Sequence, residues 1–150
     1  MRYLLLDRII EWTPRESIRG IKNVAMSEDV LEFHFPKNPI MPGVLLLEAL
    51  VQLTGWLEAA SSDFRSWFLI SRVQKCNFYG FVLPGDQVEL EVKFLSESDE
   101  GARVYSATGK VEGKRKIKAQ FEGNLVGLDE IEDAEEQRRF FKVLRREVDF

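Results

Sequence analysis

The sequence predicts an α+β domain in which a long antiparallel β-sheet wraps around one buried central helix, and three observations predict it. A single segment, from Pro42 to about Ala60, carries Leu, Val, Ala and Trp on nearly every side of a helix, the pattern of a buried helix. Around it lie β-rich runs with two-residue alternation, clearest where Glu89, Glu91 and Lys93 interleave with Val88, Leu90, Val92 and Phe94. Most links between these runs are too short for the crossovers that parallel pairing requires, so the bulk of the sheet is expected to be antiparallel.

In chain order, residues 3–12 and 17–25 read as two strands around the turn Thr13-Pro14-Arg15-Glu16. Pro36, Pro39 and Pro42 then fix φ at three positions in seven residues, which makes a stiff approach to the helix. Pro42 suits the first helical turn, where its missing N–H is not needed. Ser61-Ser62-Asp63 follows the helix, and strands are expected at about 67–78, 86–97, 102–113 and 116–126, with Lys114-Arg115-Lys116 as a solvated hairpin turn. Residues 129–136 are mostly acidic. Beyond them Phe140, Phe141, Leu144 and Val148 recur at helical spacing among Arg and Lys, which predicts an amphipathic C-terminal helix. Residues 1–128 are read as the domain proper, and 129–150 as a charged helix or tail of the same domain.

Length and composition bound the function. A chain of 150 residues, 45% hydrophobic, can pack one domain and is too short for two ordinary ones. A net charge of −4 supplies no global basic excess to draw it onto nucleic acid. The lone Cys76 cannot form an internal disulfide, which fits a reducing cytosol. Leu4-Leu5-Leu6 is interrupted at once by Asp7 and Arg8, so no signal-peptide core is expected. Glu48, Gln52 and Glu58 argue against residues 39–60 as a membrane span. A cytoplasmic protein is the expectation.

The chemistry concentrates between residues 34 and 52. His34 is the only histidine, and a single imidazole without a second histidine or a suitable cysteine offers no metal ligand set. As a base near neutral pH it suits proton abstraction, although a lone histidine beside phenylalanines is also common as a packed or exposed residue. Glu48 and Gln52, four residues apart, share a helical face. A carboxylate among Leu46, Leu47, Ala49 and Leu50 is expected to be buried, which requires a partner or a task; backbone or subunit contacts would satisfy it equally. Gly43 opens the helix, where its N–H lacks an intrahelical acceptor and the dipole adds positive charge. It therefore suits an approaching carbonyl oxygen, or merely a crowded helix start.

The stretch His34-Phe35-Pro36-Lys37-Asn38-Pro39-Ile40-Met41-Pro42-Gly43-Val44, followed by Glu48-Ala49-Leu50-Val51-Gln52, resembles the (3R)-hydroxyacyl-acyl-carrier-protein dehydratases, the hot-dog-fold family related to FabZ and FabA. Leu4-Leu5-Leu6-Asp7-Arg8-Ile9-Ile10, Ile21-Lys22-Asn23-Val24 and Val82-Leu83-Pro84-Gly85-Asp86-Gln87-Val88 agree with it, so the resemblance spans roughly residues 4 to 126. It implies a hot-dog fold with a dimer as functional unit, and a trimer of dimers as the family's common higher assembly. It further implies catalysis by His34, Glu48 and the Gly43 amide, with histidine and acid facing one substrate from different subunits. Phe35, Pro42, Val44, Gln52, Phe78 and Phe81 become the expected substrate-binding residues, and Leu45 a further wall of the acyl tunnel. The partner is acyl carrier protein bearing a phosphopantetheine-linked 3-hydroxyacyl chain; no cofactor, nucleic acid or membrane is implied. Glu48, where isomerising members carry aspartate, points to dehydration without movement of the double bond.

Three departures stand out. Lys37 and Asn38 occupy the middle of the His-Phe-Pro-Gly-His-Pro pattern, and Phe78-Tyr79-Gly80-Phe81 stands where the family commonly has Phe-Arg-Arg-Pro. Lys37, Arg65, Arg72 and Lys75 are the alternative sources of positive charge for a carrier. A segment that usually precedes the first strand is also lacking. Competing readings are a hot-dog thioesterase, a non-catalytic acyl-binding subunit of a hetero-oligomer, and an enzyme of a specialised lipid or polyketide pathway.

Overall fold

The computed structural model describes residues 4–148. Its six strands are β1 (Arg8–Thr13), β2 (Ser17–Asn23), β3 (Ser66–Phe78), β4 (Gln87–Glu97), β5 (Arg103–Val111) and β6 (Lys114–Gly127), and its helices are α1 (Val30–Phe33), α2 (Gly43–Ser61) and α3 (Ala134–Leu144), with a 3₁₀ turn at Leu128–Glu130. The strands form one sheet in the order β1-β2-β4-β5-β6-β3, and every pair is antiparallel.

The alternation read from the sequence becomes the two faces of the sheet. Val88, Leu90 and Val92 of β4 are buried, as are Ile117, Ala119 and Phe121 of β6. Their common face curls around α2, which contributes Leu46, Ala49, Leu50, Leu53 and Leu57 to the core. Fully burying one such leucine stabilises the fold by roughly 1.5–3 kcal/mol, so the packing of several of them against the sheet is what chiefly holds the helix in place. By length and composition α2 could cross a membrane, but it lies in the embrace of the sheet.

Burial along α2 is uneven, which departs from the expectation of a helix covered on all sides. Residues 53–59 are buried throughout, whereas Val44 is 68% exposed and Glu48 is exposed. The C-terminal segment explains the covered half. Phe141 sits edge-on to Trp12, Trp56 and Phe64 at 5.9, 5.9 and 5.6 Å between ring centroids. Arg145 Nη1 donates to the Ile10 carbonyl at 2.8 Å, and Arg138 Nη1 meets Asp63 Oδ1 at 2.6 Å. Asp133 caps α3 by accepting from the backbone N–H groups of Glu135 and Glu136.

Several boundaries move. Leu4–Leu6 is not strand: the ladder begins at Arg8, and Leu5 and Leu6 instead turn inward and are buried. Residue 3 of that expected strand lies outside the described residues. The hairpin between β5 and β6 turns at Glu112 and Gly113, both at positive φ (50° and 79°), so Lys114-Arg115-Lys116 already belongs to β6. This is the geometry of a two-residue turn whose twist matches the strands it joins. The four-residue helix α1 between β2 and the histidine loop carries no sequence signal strong enough to foresee.

Candidate active site

His34 closes α1 and begins the proline-rich loop. Its Nδ1 lies 2.7 Å from the Ile40 carbonyl oxygen, and the Ile40 N–H donates back to the His34 carbonyl at 2.8 Å. A carbonyl can only accept, so neutral His34 carries its proton on Nδ1 and leaves the Nε2 lone pair available as a base. The loop is cross-tied again between Phe35 and Asn38, each N–H donating to the other's carbonyl at 3.1 Å. The Phe35 ring stacks on the imidazole at 4.3 Å. Lys37 and Asn38, the departures in the motif, thus sit within a loop that its own backbone pairing holds in shape.

The loop enters α2 through Met41, whose N–H donates to the buried Val82 carbonyl at 2.8 Å, and Pro42, the N-cap residue, which supplies no side-chain acceptor. Among the described residues no acceptor takes the Gly43 N–H. Pro42 O accepts from Leu45 and Leu46, so the first free donor of the helix is this glycine. Its missing side chain has a steric reason as well. A Cβ built at Gly43 would fall 2.6 Å from the Phe78 ring of β3. Phe78 is therefore a lid on the helix start, half-exposed at the surface.

Glu48 lies one turn further along, and it is exposed rather than buried within the chain, because the sheet covers only the opposite face of α2. Gln52 Nε2 donates to Glu48 Oε1 at 3.1 Å, and Gln52 Oε1 accepts from the Leu5 N–H at 3.1 Å. One amide thereby connects the carboxylate to the N-terminal segment and orients it. Among the described residues no hydrogen bond or ion pair joins His34 to Glu48, whose partners are the Ile40 carbonyl and Gln52. Val44, Phe35 and Phe81 are exposed, and Pro42 is buried beneath the loop. Among the described residues no cluster of His, Cys, Asp and Glu could hold a metal ion.

Beside Gln52 opens an apolar cavity of about 330 Å³, walled by Leu5, Trp56, Trp67, Ile131 and Phe140. Gly55 makes room for the Trp67 wall, since a Cβ there would lie 2.3 Å from the indole. Of the expected substrate-binding residues, only Gln52 lines this cavity; Val44, Phe78 and Phe81 stand on the surface.

A second polar cluster escaped sequence reasoning. The Tyr105 hydroxyl donates to Glu58 Oε1, Arg103 Nε donates to the Tyr105 oxygen at 2.9 Å, and Arg103 Nη2 reaches the same carboxylate at 3.2 Å. Burial, followed by the hydrogen bond to Glu58, pushes the Tyr105 phenol above its ordinary value. The only hint in the sequence was a glutamate near the end of an apolar helix.

A long antiparallel sheet wrapped around one central helix is the hot-dog fold, the class to which this chain belongs. The chain belongs to the FabA-like family, whose domain model matches residues 1–120. It is 42% identical over 117 residues to the 3-hydroxyacyl-[acyl-carrier-protein] dehydratase FabZ of Shewanella sediminis, covering 75% of each chain, and 43% identical over 114 residues to that of Pseudoalteromonas translucida, covering 74% of this chain and 75% of the relative. Within the family it is a FabZ-like dehydratase. Distant solved structures share the fold: a Streptococcus mutans protein bound to acetyl CoA (TM-score 0.64, 13% identity, 85% of this chain and 94% of that one) and the ApeI:P dehydratase heterocomplex of Xenorhabdus doucetiae (0.56, 16%, 77% and 91%).

Proposed function

We propose that the chain removes water from (3R)-3-hydroxyacyl chains borne on acyl carrier protein, giving the trans-2-enoyl thioester, as a cytoplasmic enzyme of fatty-acid or related lipid synthesis. The observation that carries this reading is the His34–Ile40 hydrogen bond, which leaves Nε2 as the free base beside a helix whose first donor is unclaimed. In the reaction the Gly43 N–H donates to the thioester carbonyl oxygen and stabilises the negative charge that develops there. His34 Nε2 takes the proton from C2. The electron pair of that C–H bond forms the C2–C3 double bond as the C3–O bond breaks. Glu48, held by Gln52, binds the C3 hydroxyl and helps deliver a proton to it as hydroxide departs, giving water. A proton returned from His34 to Glu48 through solvent resets the pair.

The working unit in this reading is a homodimer. Among the described residues no hydrogen bond or ion pair joins the acid to the base within one chain, and the face of α2 bearing Val44 and Glu48 is uncovered. β3 is an edge strand of thirteen residues with Leu69, Ile70 and Val73 exposed, an unprotected edge of the kind that pairs with another strand. A second copy placed there would cover both surfaces and bring the partner's acid toward His34.

The test is turnover of a purified 3-hydroxyacyl carrier by wild type, His34→Ala and Glu48→Gln, with enoyl product and free carrier followed by mass spectrometry. Enoyl formation by the wild type, lost in both variants while their oligomeric state is kept, supports the reading. Free carrier without enoyl product means thioester hydrolysis. Acyl binding without turnover means a non-catalytic subunit.

A further inference from the structure

Past residue 120 the chain continues beyond the family match, and this continuation builds part of the cavity beside Gln52. Ile131, Gln137 and Phe140 come from it, and they face Trp56 and Trp67 of the core. The cavity is continuous with the candidate site through one side chain: Gln52 donates to Glu48 and lines the cavity as well. Glu48, Gln52 and Trp56 fall at successive steps of four residues on α2, so the stripe from the acid to the indole runs roughly 12 Å along the helix.

The chemistry of the walls names the occupant. Among the described residues leucines and aromatic rings supply most of the surface, with polar side chains confined to Gln52 at one side and Glu132 and Gln137 at the C-terminal side. Among the described residues the walls carry no Lys or Arg to pair with a phosphate or a carboxylate, whereas an alkyl chain would gain burial along the whole length. An apolar cavity of about 150 Å³ holds one benzene, so on that scale this one has room for on the order of ten carbons. The far wall is also firmly held. Phe140 rests on Trp56 at 5.8 Å, the adjacent Phe141 is locked among Trp12, Trp56 and Phe64, and Arg138 and Arg145 tie α3 to Asp63 and Ile10.

We propose that the C-terminal segment forms the end wall of the acyl pocket, and that Ile131 and Phe140 thereby set the longest acyl chain the enzyme accepts. The assignment of an acyl occupant rests on the dehydratase reading above. A straight chain of medium length, with C3 at Glu48, passes Gln52 and ends against these two side chains. A longer chain meets a wall that cannot swing away without breaking the α3 contacts.

The experiment measures kcat/KM across 3-hydroxyacyl-pantetheine thioesters from about four to about sixteen carbons for wild type, Ile131→Trp and Phe140→Ala, with thermal unfolding of each variant. Ile131 is at the surface, so the tryptophan narrows the pocket without disturbing the core. The expected result is a fall of about tenfold in the ratio of medium- to short-chain kcat/KM for Ile131→Trp, and a comparable rise for long chains in Phe140→Ala, the scale on which apolar pockets discriminate chain length. Ratios that stay constant across all three proteins overturn the proposal. Absence of turnover at every length removes the dehydratase reading alone. A chain-length-dependent change of the tryptophan fluorescence on adding the same thioesters then decides the pocket: a change that extends to longer chains in Phe140→Ala sustains it, and no change overturns it.

Discussion

His34 Nδ1 stands 2.7 Å from the Ile40 carbonyl oxygen, and the Ile40 N–H returns a backbone hydrogen bond to the His34 carbonyl at 2.8 Å. The imidazole, the base of the proposed reaction, is thus oriented by the loop that leads into the helix, rather than by a carboxylate as in a catalytic triad. Replacing His34 with alanine removes a general base, and a loss of about a hundred- to ten-thousandfold in kcat is expected. Thermal unfolding close to that of the wild type would show that the loss is chemical.

Because the base and the acid reside on separate subunits in the proposed dimer, inactive variants should complement each other. Mixing His34→Ala with Glu48→Gln in equal amounts, after dissociation and reassociation, should restore about a quarter of wild-type activity, since half the dimers are mixed and each carries one intact site. A mixture that stays inactive while mixed dimers form would locate both residues in one chain's site.

Gln52 donates to the Glu48 carboxylate, and in the proposed reaction it positions that group. Gln52→Leu keeps the volume but removes the bonds to Glu48 and to the Leu5 N–H. The expected outcome is a fall of about ten- to a hundredfold in kcat, from misplacement of the acid, with little change in KM. Steady-state kinetics with a single acyl chain length separates the two parameters.

Gly43→Ala sets a methyl group 2.6 Å from the Phe78 ring. Overpacking of this kind costs about 1–3 kcal/mol. The double variant Gly43→Ala/Phe78→Ala should recover most of that cost in urea unfolding, because the clash has one partner. Recovery of stability without recovery of activity would show that Phe78 also serves the site.

The Glu58–Tyr105–Arg103 cluster governs stability. Glu58→Ala leaves the half-buried Arg103 charge without its carboxylate and the Tyr105 hydroxyl without its acceptor, a loss of about 1–3 kcal/mol. The raised Tyr105 phenol adds a pH dependence with a definite sign. Above its ordinary value of 10.0 the unfolded chain releases the phenolic proton while the folded chain retains it. The unfolded state then binds fewer protons, and stability falls by up to about 1.4 kcal/mol per pH unit; below that pH the contribution is constant. Urea unfolding of wild type and Tyr105→Phe at about pH 9 and about pH 11 measures it, with a smaller alkaline loss expected in the variant.

The parts of the fold legible in the sequence are those governed by local periodicity. Val88, Leu90 and Val92 alternate with charged residues, and their inward direction follows from the pleat alone. The helix could be located because Pro42 opens it and its residues are apolar at helical length. His34, Gly43 and Glu48 are picked out by the family resemblance of the stretch that holds them, because by residue type alone a packed histidine, a crowded helix start and a satisfied carboxylate explain them as well. Leu4–Leu6 misled because an apolar run has the same composition whether it pairs in a sheet or plugs a core; only Leu5 N–H meeting Gln52 distinguishes the two.

What the sequence determined by itself, then, was the antiparallel sheet around one helix, which follows from side-chain type and spacing along the chain, while the family resemblance of residues 34–52 marked the candidates for acid–base chemistry. Tertiary structure alone decided the rest: the imidazole tautomer set by a carbonyl six residues away, the exposure of Glu48, the Phe78 lid over Gly43, and the cavity shared by Gln52 and Phe140. Each of these depends on which distant groups the fold brings into contact, and no local pattern in the chain encodes that distance.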